Sequence, residues 1–136
     1  MKTLLAAILA LSMNNAFATT VEGKLIDGYI QTLKANNTGY PAMVQTLLQC
    51  EAYFDVVGQL GYKSMFSRHI KLMSAAYVIE TGVDHEIVYT INENSRPATR
   101  HSIETLVNTD KANRDRFQSS CMGLYGELRR SELAAQ

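Results

Sequence analysis

The 136 residues balance 13 Lys+Arg against 13 Asp+Glu, are 46% hydrophobic and contain two Cys and no Trp. Balanced charge excludes the bulk attraction that gathers basic domains on nucleic acid or anionic membranes. The length suits one domain with its own core, and two cysteines are too few for a miniature disulfide scaffold.

At the N-terminus Lys2 precedes an apolar run from Leu4 to Leu11, and Ala16-Phe17-Ala18 supplies a small-x-small motif. These features predict a signal peptide over residues 1–18, cut after Ala18. Asn14 and Asn15 end the apolar run well short of the ~20 residues a membrane-spanning helix needs. No Cys follows the cut, so a bacterial lipid anchor is not expected. Cleavage removes Lys2 and no acidic residue, leaving 118 residues with 12 basic and 13 acidic side chains. The expected location is periplasmic or secreted. No integral membrane segment is expected after cleavage, because no second apolar stretch approaches spanning length. Residues 19–136 then read as a single helical domain, with a disordered tail at 131–136.

Helical periodicity runs through most of this domain. About Val21 to Ala35, Leu25, Ile26, Tyr29, Ile30 and Leu33 share a face, and "NNTGYP" breaks the pattern with Gly39 and Pro41. From about Pro41 to Gln59, Met43, Leu47, Cys50, Phe54 and Val57 alternate spacings of 4 and 3, the stripe of a helix facing a neighbour. A third helix, about Tyr62 to Glu80, turns Met65, Phe66, His69, Ile70, Met73, Ala76 and Tyr77 inward. Thr81-Gly82 is its expected C-cap.

Asp84 is placed to N-cap "HEIVYTIN", residues 85–92. Its Ile, Val, Tyr and Thr favour a strand locally. A strand would have no partner elsewhere in the chain, so a short helix or irregular turn is preferred. "ENSRPA" reads as a break. The last segment, about Pro97 to Leu128, places Ile103, Leu106, Val107, Phe117, Cys121, Leu124, Tyr125 and Leu128 on one side. Its polar middle, "NTDKANRDR", allows a division into two helices. The fold class expected is all-α, a small bundle of four to five helices.

Cys50 and Cys121 each fall in an apolar stripe, one on the second helix and one on the last. In an oxidising compartment two such thiols pair, and inward faces of adjacent helices can bring them to bonding distance. Closing a loop of about 70 residues is worth on the order of 4 kcal/mol in the chain-entropy picture. Such a disulfide-pinned bundle is similar in architecture to periplasmic immunity proteins that neutralise a toxin, and to pilotin-like secretion accessories. The likeness spans the whole mature chain and implies action through protein–protein contact. It transfers no residue roles.

Among chemical constellations, Met65, His69 and Met73 lie at i, i+4 and i+8 on one helix face, a donor set that suits a soft metal such as copper. Phe66, Ile70, Ala76 and Tyr77 share that face, so the stripe reads first as core, with the His bonded to a carbonyl or a Tyr. Asp84-His85-Glu86 and His101/Glu104 have poor ligand spacing, and HExxH, zinc-spaced CxxC and GxSxG are absent. Glu51 and Asp55, at i, i+4, are the pair nearest to general acid–base chemistry. These observations lean against an enzyme and call for no cofactor.

The remaining signal is a basic, tyrosine-rich surface. Arg96, Arg100, Arg114, Arg116 and Tyr125 are the candidate interface residues, since Arg and Tyr are enriched where proteins meet. Three i, i+4 pairs on the same segment, Arg100–Glu104, Asp110–Arg114 and Lys111–Asp115, temper its charge. The expected function is an exported binding or accessory protein with a protein partner and no nucleic acid. A periplasmic copper or small-ligand carrier using Met65, His69 and Met73 is the alternative.

Overall fold

The computed structural model describes residues 20–136, so the expected signal peptide, residues 1–18, lies outside the described residues. The described chain is all-helical, with five α-helices and no strand. They are α1 (Val21–Ala35), α2 (Tyr40–Val56), α3 (Leu60–Thr81), α4 (His85–Thr109) and α5 (Lys111–Ala134), with a short 3₁₀ turn at Asn37–Gly39 between the first two. None of these helices is long and apolar enough to cross a membrane.

Local chemistry sets most helix ends. Thr20 caps α1, its hydroxyl accepting from the Gly23 N–H at 2.9 Å. Pro41 stands in the first turn of α2, where its missing N–H costs no hydrogen bond. At the end of α3, Gly82 takes φ 72° and donates its N–H to Val78 O, the left-handed C-cap expected there. Asp84 caps α4 as expected, its carboxylate accepting from the Glu86 N–H at 3.0 Å.

The core lies chiefly between α1, α2 and α3. Leu33, Phe54, Phe66 and Ile70 are sealed from solvent there, and Phe54 packs against the rings of Tyr53, Tyr62 and Phe66. α2 is the central rod. Its Leu47, Leu48, Cys50, Tyr53 and Phe54 are all buried because α3 and α4 flank it and α5 is bonded to it. The stripe expected of α2 is thus wider than one seam, since it meets neighbours on more than one side.

The disulfide joins Cys50 to Cys121 across a Cα–Cα distance of 5.5 Å, tying α5 to the central helix. Beside it the Tyr53 hydroxyl donates to Gln118 Oε1 at 2.9 Å, and Tyr53 meets Phe117 edge-on.

Two boundaries differ from expectation. "HEIVYTIN" is helical, but it opens the 25-residue α4, which runs through "ENSRPA" and Pro97 without a break. Both sides of the proline are anchored to the bundle. On the N-terminal side Asn92 Nδ2 donates to Ser74 Oγ at 3.0 Å. On the other, Thr99 Oγ1 accepts from Gln45 Nε2 at 3.2 Å, and Ile103 is buried. Tertiary contacts thus hold a helix that local propensity alone would interrupt.

The division inside "NTDKANRDR" falls at Asp110, whose carboxylate accepts from the Ala112 and Asn113 N–H groups to start α5. Capping occupies Asp110, so Arg114 reaches the Val107 carbonyl and not the i−4 acid. Where a disordered tail is expected over 131–136, α5 instead continues to Ala134, held by Glu132 and by the buried Ala135.

Candidate functional site

Three helices contribute polar stripes to one cleft of about 730 Å³. Glu51 and Asp55 come from α2. Lys63, Ser67 and Lys71 come from α3 at i, i+4 and i+8. Tyr89, Glu93, Arg96, Pro97 and Arg100 come from one side of α4. Helical spacing puts each set on one face, because residues three or four apart are neighbours, and the packing of the helices turns the three faces together.

The floor of the cleft is Glu51, a carboxylate only 7% exposed. Arg96 grips it with a two-toothed fork, Nε to Oε1 at 2.9 Å and Nη2 to Oε2 at 3.2 Å, and the Ser67 hydroxyl donates to Oε2 at 2.7 Å. A buried carboxylate needs such partners to remain charged. The bond to Glu51 holds the Arg96 guanidinium above its ordinary value, against the burial that would lower it. Higher on the wall Asp55 is shared between Lys63, at 2.9 Å, and Arg100, while Glu93 binds Arg96. The Lys71 ammonium has no hydrogen-bonding or ionic partner among the described residues. The Tyr89 ring stands 55% exposed at the rim.

On the far side of α4 a smaller, more apolar cleft of about 280 Å³ is lined by Tyr40, Tyr77, Val83, Val88 and Ile91. The Tyr40 and Tyr77 rings stack there at 3.9 Å, and the Tyr40 hydroxyl lies 3.2 Å from Ser74 Oγ.

A second polar cluster lies inside the bundle. His69 has no exposed surface. Its Nδ1 is 2.5 Å from the Tyr29 hydroxyl and its Nε2 is 3.0 Å from Glu132 Oε1. Burial, reinforced by the negative charge of Glu132, pushes the Tyr29 hydroxyl above its usual value, so it stays protonated and donates to Nδ1. Glu132 accepts only, so Nε2 carries the ring proton. Burial also lowers His69 from its usual value, outweighing the opposing bond to Glu132, and the ring is neutral near pH 7. Arg68 closes the cluster, bonding Glu132 at 2.7 Å and Glu22 at 3.2 Å. This unit joins α1, α3 and the last turn of α5.

The sequence candidates are distributed as follows. Arg96 and Arg100 line the large cleft, whereas Arg114, Arg116 and Tyr125 do not. Arg114 and Arg116 lie in the first turns of α5. Tyr125 packs edge-on against Tyr62 at 4.7 Å. Glu51 and Asp55 do share one site, each engaged by cations. In the Met65, His69, Met73 set, Met73 is buried, Met65 is partly so, and His69 gives both ring nitrogens to Tyr29 and Glu132, leaving neither for a metal. Among the described residues, no three or more His, Cys, Asp or Glu side chains are grouped so as to hold a metal ion.

Lys63, Ser67 and Lys71 of α3 and Glu93 of α4 are polar cleft residues that sequence reasoning passed over. The signal for the first three was a polar row at a spacing of four along a helix whose other face is core. Compared with protein-family models, with curated proteins and with solved structures, the chain matches none at a significant level.

Proposed function

We propose that this is an exported, periplasmic or secreted, binding or accessory protein that acts by protein–protein contact, in the manner of immunity proteins or secretion accessories. The observation that carries the reading is an apolar edge of α4. Ile87 and Ile91, one turn apart, are 53% and 59% exposed, and Ile91 borders the apolar cleft of Tyr40, Tyr77, Val83 and Val88. Tyr89, 55% exposed, stands on the other edge of the helix, at the rim of the large cleft. Two large apolar side chains left in water beside an apolar cleft form a patch of the kind that marks protein-binding surfaces. Arginines beside a tyrosine add to it, because both are enriched at interfaces. The cysteine bridge and the signal-like N-terminus support a location outside the cytoplasm.

The test is a photo-crosslinking residue at position 87 in cells expressing the full chain. One protein should crosslink, and Ile91→Glu should abolish the adduct while the circular dichroism stays unchanged. No crosslinked protein, together with a stoichiometric metal or small molecule retained on the purified chain, would overturn the reading.

A further inference from the structure

The α2–α3–α4 cleft has features of its own that bear on what a partner presents. Its lining carries four cations, Lys63, Lys71, Arg96 and Arg100, against three carboxylates, Glu51, Asp55 and Glu93. Every one of those carboxylates is already bonded to a lining cation, and the cation left over is Lys71. An incoming group at Lys71 therefore meets a positive charge with no internal competitor.

The opposite wall is shaped by Pro97. Proline has no N–H, so the Glu93 carbonyl has no i+4 donor, and Glu93 and Pro97 both line the cleft. That carbonyl, on an exposed stretch of α4, is left to accept from water or from a donor that a ligand brings. A small anion has none to give. A peptide has one at nearly every residue. Tyr89, exposed at the rim, adds an aromatic surface that a peptide side chain can cover.

We infer that the cleft receives an acidic peptide segment of a protein partner, one carboxylate meeting Lys71 while a backbone N–H serves the Glu93 carbonyl. This rests on the protein-binding reading above and specifies what the partner presents.

The experiment titrates the ¹⁵N-labelled, disulfide-bonded protein with a capped hexaglutamate peptide, using a capped hexalysine peptide and free glutarate for comparison. Hexaglutamate should give saturable shifts centred on Lys71, Tyr89 and Arg96, and hexalysine none. Lys71→Ala should weaken the peptide about fivefold, the upper range for one exposed ion pair. Lys24→Ala, on the exposed side of α1, should leave it unchanged. Glutarate should bind at least about tenfold more weakly, lacking the N–H groups.

Shifts spread equally over the exposed basic residues, or equal effects of the Lys71 and Lys24 substitutions, would overturn the inference. Glutarate binding as tightly as the peptide would also overturn it, by assigning the cleft to a small anion. If Lys71→Ala changes nothing while position 87 still crosslinks a protein, the cleft inference fails and the protein-binding reading survives. If hexaglutamate binds as expected while nothing crosslinks, the Ile87–Ile91 edge fails as the contact surface and the cleft assignment stands.

Discussion

His69 carries a pH dependence whose sign follows from its surroundings. Burial lowers its folded value below the unfolded value of about 6.5, so the unfolded chain binds the proton more readily. Its contribution to stability is therefore complete above about pH 6.5 and is lost as the pH falls through the lower, folded value. Melting temperatures measured between about pH 7 and pH 5 should fall, and His69→Gln should flatten that slope while leaving a donor for Glu132. A slope unchanged in the variant would assign the acid sensitivity to other groups. The burial of His69 was legible in its apolar neighbours Phe66, Ile70 and Met73. Its bond to a tyrosine was an anticipated kind of partner. Glu132 was not legible, because the terminal "SELAAQ" has too little apolar pattern to reveal a helix end that docks.

α4 is the element where local and tertiary preferences conflict. Pro97 removes one backbone hydrogen bond, and a mid-helix proline costs about 3 kcal/mol relative to alanine. Asn92, Arg96 and Thr99 hold the helix across the gap through bonds to Ser74, Glu51 and Gln45. Pro97→Ala should accordingly raise unfolding free energy by about 1–3 kcal/mol in urea titration. A destabilised variant would mean that the ring itself is needed for packing. This conflict also explains why "ENSRPA" reads as a break and "HEIVYTIN" as ambiguous. Proline and β-branched residues are local signals, whereas the anchoring partners lie on other helices. The caps at Asp84 and Gly82 were legible because a cap is decided within a few residues.

At the scale of the whole molecule, the bundle has a dense part and a thin one. α1, α2 and α3 hold most of the buried side chains, while α5 buries little beyond Cys121, Leu128 and the adjoining Ala135. The Cys50–Cys121 bond closes a span of 71 residues and compensates for that thin packing. Replacing both cysteines by alanine should lower stability by about 4 kcal/mol in chemical denaturation, with α5 amides losing hydrogen-exchange protection first. Uniform loss across all helices would instead indicate one cooperative unit. The pairing was legible from two apolar stripes. The cleft was not, since Glu51, Ser67, Arg96 and Lys71 meet only once three helices are placed. Cys50 is 3% exposed and Cys121 fully covered, so no external thiolate can attack the bridge while the helices stay docked. Chemical reduction must wait for a spontaneous opening, and the lifetime of the crosslink in a reducing medium is set by how often the protein breathes.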